Sequence, residues 1–265
     1  MRLRGVVSTI TACGSAIAVL SVSGCAHFSP AMSPERLDRG YVVVLPGIEG
    51  PSAFNSNVAE GLLNAETDMA VEVYDWSTGS LPAFLTHLQD LPRNREQARR
   101  LAEKIIRYQD EYPGRPVYLV GHSGGAGIAL LTLEALPDGR RIDGAILLAG
   151  AVSRDYDLRN ALSKTTRGIW NYHSSGDWFF LVAGTSLFGT IDRVYAPSAG
   201  AYGFRVPDNL DAEGRRQYAK LRQPPYRLGM LASGNYGGHF GPATRGFARD
   251  YLAPVIESGG ALDSR

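Results

Sequence analysis

The sequence predicts an α/β fold in which helices cover both faces of a mostly parallel central sheet. Short apolar runs alternate with longer helix-like segments along most of the chain. The runs at 41–45, 117–120 and 142–151 lack a regular polar alternation, which is typical of strands buried on both faces of a parallel sheet. Because strand and helix patterns follow one another, successive strands are expected to lie parallel, joined by helical crossovers.

The elements that precede residue 121 are predicted from apolar periodicity. The 81–91 helix has Pro82 in its first turn and Pro92 just past its end, and its apolar stripe is either core or the wall of an acyl pocket. Asn94 and Gln97 are expected to cap the next helix. In order, the predicted elements are a strand at 41–45, a helix at 55–64, a strand at 70–76, helices at 81–91 and 94–112, and a strand at 117–120.

The elements after residue 125 continue the alternation. Only residues 152–167 separate the last two predicted strands, so a large insertion between them is not expected. Residues 184–230 are rich in Gly, Pro, Tyr and Arg and give no clear element. The predicted elements are a helix at 126–136, strands at 142–151 and 168–172, and a closing helix at 242–256.

The segment 117–125 carries the most informative motif. Its apolar strand stops at Gly121, and His122, Ser123 and Gly124 lead through a sharp turn into a helix, with Gly125 completing a Gly-x-Ser-x-Gly pattern. Glycines on both sides let the strand and helix pass close to the serine. The motif in this context resembles the nucleophile elbow of the α/β-hydrolase family. The resemblance implies an α/β-hydrolase fold over 41–265, here with little or no inserted lid.

The same resemblance implies a catalytic triad in the order serine, acid, histidine. Ser123 would be the nucleophile. Asp177 follows the 168–172 strand, where the family places its acid. His239 lies in a glycine-rich loop before the last helix, where the family places its base. Metal and organic cofactors are not expected, because the histidines are scattered and the elbow lacks the lysine of a phosphate loop.

Other residues compete for two of these roles. Asp155 or Asp157, after the preceding strand, would also suit the acid, and Asp177 could instead cap a helix beginning at Trp178. His173 also lies downstream of the serine, but it would share one loop with Asp177. His239 is therefore preferred as the base.

The loop after the first strand is expected to complete the site. In the family this loop gives one main-chain N–H to the oxyanion hole, which here would be that of Ile48. The second donor would be the N–H of Gly124, directly after the serine. Pro46 and Gly47 stand where the family usually has a His-Gly pair, which matters little for a main-chain donor. Glu49 is expected to point outward or to hold the loop, because a carboxylate beside an oxyanion is unfavourable.

The N-terminal 24 residues resemble a bacterial lipoprotein signal peptide. A cationic opening at 1–4 precedes a mostly apolar or small stretch at 5–20, and Val22-Ser-Gly-Cys25 follows. This stretch is too short to span a membrane as a helix, and Thr9, Thr11 and Ser15 interrupt its apolar residues. The resemblance implies cleavage before Cys25, which would then carry the acyl chains. An ordinary signal peptide with an incidental cysteine is the alternative.

Cleavage there would leave residues 25–40 as a tether to the domain at 41–265. The only other cysteine, Cys13, would be lost, so no disulfide could form within the mature chain. Ala26 after the cysteine resembles the signal for the outer membrane, if the host has one. The predicted location is therefore an exported, lipid-anchored protein.

The predicted activity is hydrolysis of carboxylic esters by a membrane-anchored serine hydrolase of the esterase or lipase kind. An amidase, a peptidase or a thioesterase would use the same triad, and a non-catalytic binding protein could keep the same fold. Lys and Arg number 27 against 26 Asp and Glu, which gives no support to nucleic-acid binding. The expected partners are a small-molecule or lipid ester and the membrane.

Overall fold

Parallel strands form the central sheet in the computed structural model, which describes residues 30–65, 67–77, 90–177, 190 and 197–258. Within these residues the sheet has six strands, all parallel, in the order β2-β1-β3-β4-β5-β6. The strands are β1 Tyr41–Leu45, β2 Ala70–Val73, β3 Val117–His122, β4 Ile142–Leu148, β5 Thr165–Tyr172 and β6 Leu221–Arg222.

Helices connect these strands and follow the last one. The described α-helices are α1 Pro34–Leu37, α2 Ala53–Asn64, α3 Leu91–Glu111, α4 Gly124–Ala135, α5 Arg159–Ser163, α6 Ala199–Tyr202, α7 Ala212–Tyr218, α8 Arg245–Phe247 and α9 Ala253–Ser258. Short 3-10 turns lie at Pro30–Met32, Ser175–Asp177, Leu228–Ser233 and Gly241–Ala243, and a π-helical turn lies at Ala248–Leu252.

The core lies on both faces of the sheet. Along β1, Tyr41, Val43 and Leu45 point into one hydrophobic cluster, while Val42 and Val44 point into the other. Helices α3 and α4 pack on the first face, and α2 packs with the C-terminal helices on the second. The predicted α/β architecture, with helices on both faces, is confirmed. Residues 149–164, between β4 and β5, hold only the short helix α5.

The start of α3 differs from the prediction. The helix begins at Leu91, and its cap is Asp90, whose carboxylate accepts a hydrogen bond from the N–H of Arg93 at 3.1 Å. The predicted cap at Asn94 is therefore wrong. Pro92 lies in the first turn of α3, where a missing N–H costs nothing.

The structure differs from the prediction at other elements as well. Strand β6 lies inside the segment that gave no clear element, and β2 is shorter than predicted, ending at Val73. Strand β4 ends at Leu148, because Ala149 adopts a φ of 48° and turns the chain away from the sheet. The closing helix is broken into α8, the π-helical turn and α9.

Some predictions fall outside the described residues. They include the proposed signal peptide, Cys25 and most of the 81–91 helix with its apolar stripe. Within the residues that the structure describes, no helix combines the length and hydrophobicity needed to span a membrane.

Candidate active site

The turn between β3 and α4 holds Ser123 in a strained conformation. Its φ is 53° and its ψ is −119°, a region that non-glycine residues rarely adopt. Two main-chain hydrogen bonds fix it there. The N–H of Ser123 donates to the carbonyl of Leu148 at 2.9 Å, and its carbonyl accepts from the N–H of Ala151 at 3.0 Å. The end of β4 therefore holds the elbow in place.

Two glycines make this turn possible. A Cβ added at Gly121 would lie 2.5 Å from the carbonyl oxygen of Gly125 and 2.7 Å from the Cα of Ala126. A Cβ added at Gly125 would strike the carbonyl oxygens of Leu45 and Pro46 at the end of β1. Because each obstacle is main chain, neither position has room for a side chain.

The turn brings Ser123 into a hydrogen-bonded row with two distant side chains. Nε2 of His239 lies 3.0 Å from Oγ of Ser123, and Nδ1 lies 2.9 Å from Oδ2 of Asp177. In the arrangement that supports catalysis, Nδ1–H donates to the carboxylate and the serine hydroxyl donates to Nε2. All three residues are buried. The loops after β3 and β5 and the loop before α8 thus meet at one point.

The competing residues lie elsewhere. Asp155 and Asp157 are exposed and pair with Arg205 at 3.0 Å and Arg159 at 2.7 Å. The ring of His173 bonds main-chain atoms instead of the serine. Their positions do not bring them into this row. The alternative role of Asp177 as a helix cap concerns a helix outside the described residues.

Burial controls the charges of the row. It raises the pKa of the Asp177 carboxyl and lowers the pKa of the His239 imidazole, because each charged form loses hydration. The nearby charge of Glu49 acts in the opposite sense on His239 and raises its pKa. The resting imidazole is therefore neutral, as a base must be. Burial alone would also favour a protonated Asp177, but the hydrogen bond from Nδ1–H of His239 at 2.9 Å favours the carboxylate, which then lies beside a proton gained during reaction.

His122 ties the elbow to the histidine loop. Its Nε2–H donates to the main-chain carbonyl of His239 at 3.0 Å, and the two ring centroids lie 5.0 Å apart. Burial and the neighbouring His239 lower the pKa of His122, so the ring stays neutral and keeps this donor. The bond fixes the backbone from which the His239 side chain reaches Ser123.

Further contacts hold the loop that carries His239 in place. The hydroxyl of Ser174 donates to the carbonyl of Gly237, and the N–H of Gly237 donates to the side chain of Asn235 at 3.0 Å. Phe240 stacks on Phe54 of α2 with ring centroids 4.2 Å apart. Sequence reasoning missed these residues, because polar and aromatic loop residues without a periodic pattern do not reveal their partners.

The loop after β1 closes over the start of α4. The indole N–H of Trp76, a fully buried residue, donates to the carbonyl of Pro46 at 2.8 Å. Ile48 covers Gly124 so closely that a Cβ added there would lie 2.8 Å from its Cγ2. The two residues predicted to supply oxyanion donors therefore face each other beside Ser123. The position of Trp76 at the end of a predicted strand was the only available signal of its anchoring role.

The described residues were also compared with the ligand groups of metal sites. No group of three or more of their His, Cys, Asp and Glu side chains is arranged to hold an ion. The row of Ser123, His239 and Asp177 instead has the donors and acceptors needed to remove a proton from a hydroxyl group.

A comparison with protein families identifies the family to which the chain belongs. Residues 38–173, just over half of the chain, match the family described as serine aminopeptidase, S33. The chain belongs to this family of α/β-hydrolases. The match spans the strands from β1 to β5 and the elbow, and it ends before Asp177 and His239. The α/β-hydrolase fold and a coarse activity, that of a serine hydrolase, are thereby established.

Several solved structures are also similar to this chain. A dienelactone hydrolase-like promiscuous phosphotriesterase from metagenomic libraries is 15% identical over 84% of this chain and 77% of its own, with a TM-score of 0.46. The esterase domain of a Rhodothermus marinus protein is 14% identical over 86% of each chain, with a TM-score of 0.40. An N-formylmaleamic acid deformylase from Pseudomonas putida is 14% identical over 79% and 90%, with a TM-score of 0.43. No curated protein matches the sequence.

Proposed function

We propose that this S33-family member hydrolyses carboxylic esters through an acyl-enzyme formed on Ser123. The observation that carries the proposal is the row in which His239 lies 3.0 Å from the serine oxygen and 2.9 Å from Asp177. A serine hydroxyl needs a base to become a nucleophile, and the base needs a carboxylate to fix its tautomer. The buried His239 is placed to act as the base, and the buried Asp177 is placed to act as the carboxylate.

In the first half-reaction, the Ser123 oxygen attacks the ester carbonyl carbon while His239 takes the hydroxyl proton. The negative charge that develops on the carbonyl oxygen is held by the N–H groups of Ile48 and Gly124, and α4 adds the positive end of its dipole. His239 then gives its proton to the departing alkoxide. An alcohol leaves, and the acyl group remains on Ser123.

In the second half-reaction, water replaces the alcohol. His239 takes a proton from the water, the hydroxide attacks the acyl carbon, and the serine oxygen leaves with that proton. A carboxylic acid is released and the row returns to its starting state. The Asp177 carboxylate stabilises the imidazolium in both halves.

A small cavity lies against α4, next to the elbow. Its volume is about 220 Å³, and its lining is mixed, with Gly127, Leu130 and Val152 on one hand and Arg95 and Tyr156 on the other. Val152 follows the residue whose N–H holds the Ser123 carbonyl. Drug-sized ligands occupy larger pockets, of about 300 to 1,000 Å³, so this cavity would hold only a small part of a substrate.

Amide or peptide cleavage is the second candidate. The description of the family as a serine aminopeptidase favours it. A panel of esters, thioesters and amides with the same acyl group separates the two, with a Ser123→Ala variant as the blank. Fastest turnover of the ester supports the proposal, and fastest turnover of the amide contradicts it. No turnover of any member would favour a non-catalytic binding protein.

The pH dependence should report on His239. A base acts only when it is unprotonated, so kcat/KM on a neutral ester is lost as pH falls through the pKa of this imidazole. Burial lowers that pKa. The midpoint of the acid limb is therefore expected below about 6.5, the ordinary value for histidine. Because the charge of Glu49 raises the pKa of His239, Glu49→Gln should move the midpoint lower still. A midpoint that rises in the variant would contradict this assignment.

We further propose that the mature enzyme is attached to a membrane through acyl chains on Cys25, in the outer membrane if the host has one. Support comes from the sequence, where a cationic and then apolar segment ends in Val22-Ser-Gly-Cys25. Two or more acyl chains suffice for stable anchoring of a folded domain. The S33-type domain would then work close to the lipid surface.

Substitution of the cysteine tests the anchor. Cys25→Ala should move the protein from the membrane fraction to the soluble fraction and abolish incorporation of radiolabelled palmitate. Cys13→Ala is the matched control, since Cys13 would lie in the removed segment, and it should change neither result. Unchanged fractionation of the Cys25 variant would show that the protein is not anchored in this way.

A further inference from the structure

Glu49 carries a negative charge at the edge of the proposed active site. It follows Ile48, which covers Gly124 at the start of α4. Its carboxylate folds back over the main chain, where a Cβ added at Gly47 would strike Oε2. The hydroxyl of Ser52 donates a long hydrogen bond, 3.4 Å, to Oε1 of this exposed side chain. The carboxylate therefore lies over its own loop.

The charge of Glu49 also reaches the catalytic imidazole. Glu49 follows Ile48 over the start of α4, and its charge opposes the larger effect of burial, which lowers the pKa of His239 and that of the fully buried His122. Within the described part of the chain, no lysine or arginine forms an ion pair with Glu49, whereas other exposed carboxylates, such as Asp38, Glu60 and Glu103, each pair with an arginine. The side chain is exposed and accessible to a ligand.

The position of the Glu49 carboxylate is unfavourable for the hydrolysis of a neutral ester. Negative charge develops on the substrate carbonyl oxygen beside Ile48, and a fixed carboxylate on the next residue repels it. A positive group carried by the substrate would remove this repulsion and would pair with a carboxylate that the fold leaves without a cation. Such a charge is attracted to Glu49 both in the bound substrate and in the transition state.

We propose that Glu49 is a specificity-determining residue that selects esters with a cationic group near the scissile carbonyl, such as a quaternary ammonium. This inference rests on the ester hydrolysis proposed above and names its substrate class. The cation can lie in the leaving alcohol or in the acyl part, since the chemistry recognised is the same. A neutral ester of the same shape is the disfavoured substrate.

Two pairs of isosteric esters test the proposal and separate the two sources of charge. Acetylcholine and neohexyl acetate differ in a charge on the alcohol. The nitrophenyl esters of betaine and of tert-butylacetic acid differ in a charge on the acyl group. For each pair, the ratio of kcat/KM for the cationic and neutral esters is measured with the wild type and with Glu49→Gln, above the acid limb. Dividing one ratio by the other cancels the intrinsic reactivity of the esters.

In at least one pair, the wild-type ratio should exceed the Glu49→Gln ratio about tenfold. The difference should shrink in high salt, because exposed charges are screened. Glu103→Gln is the matched control. It removes the same charge from an exposed carboxylate of α3 that pairs with Arg99, and it should leave both ratios unchanged.

The outcomes distinguish this inference from the proposed function. If the wild type hydrolyses the esters but Glu49→Gln leaves both ratios unchanged, Glu49 does not select cations and the ester hydrolase remains. If the ratios change equally in Glu103→Gln, the effect belongs to the net charge of the protein and the inference is wrong. If no ester is hydrolysed, the proposed function fails and this inference fails with it.

Discussion

Replacing Ser123 with alanine is expected to lower kcat on the best ester by about 10⁴- to 10⁶-fold. The variant removes the oxygen that lies 3.0 Å from Nε2 of His239, so no acyl-enzyme can form. Binding groups and the oxyanion donors would remain, which is why some residual rate over water is expected. Initial rates on the ester panel, measured with protein free of wild-type contamination, give the result.

The fold should survive this change. Serine and alanine bear nearly the same strain at a φ of 53°, so the midpoint of thermal unfolding should move by only a few degrees. Ser163→Ala is a matched control at the end of α5, where the hydroxyl donates to the carbonyl of Asn160. It should keep full activity. Retention of more than about one tenth of the rate in Ser123→Ala would exclude Ser123 as the nucleophile.

Asp177→Asn should lower kcat by about 10³- to 10⁴-fold while KM changes little. The amide has the same shape as the carboxylate but no charge to stabilise the imidazolium. Its NH₂ group can also donate to Nδ1 of His239, which leaves Nε2 protonated and unable to take the serine proton. Steady-state kinetics on the best ester measure both parameters.

The alternative acids provide the controls for that experiment. Asp155→Asn and Asp157→Asn remove carboxylates that are exposed and paired with Arg205 and Arg159. Each should keep activity within about twofold of the wild type, because exposed ion pairs contribute little. A large loss in either variant, with normal activity in Asp177→Asn, would move the acid to the loop after β4.

The parts of the fold that depend on local pattern were predictable from the sequence. Strand β1 at Tyr41–Leu45 has the predicted bounds, and α4 starts within two residues of its predicted position. Continuous apolar runs and the glycines around Ser123 carry enough information for this. Chain order and local context also selected Ser123, Asp177 and His239, which the structure brings into contact.

Other features depend on contacts between distant residues, which a single sequence does not reveal. Strand β6 has two residues and exists because Leu221 and Arg222 pair with Ile169 and Trp170 of β5. The boundary of α3 was missed for a different reason. A proline suits the first turn of a helix as well as the position after one, and only the contact of Asp90 with Arg93 decides between them.

The supporting residues of the site show the same limitation. Trp76 holds the carbonyl of Pro46, and His122 holds the carbonyl of His239, each from a different strand end. Both partners are main-chain oxygens, so nothing in the partner's side chain marks the pairing in the sequence. The position of the Glu49 carboxylate likewise follows from the path of the loop after β1.

The most direct test of the account is to locate the group that reacts with a fluorophosphonate, which labels activated serines. Intact-mass and peptide-mapping mass spectrometry on the wild-type protein should find a single adduct, on Ser123, and none after His239→Ala. An adduct on another residue, or no adduct on a protein that still hydrolyses esters, would contradict the claim that Ser123 is the nucleophile.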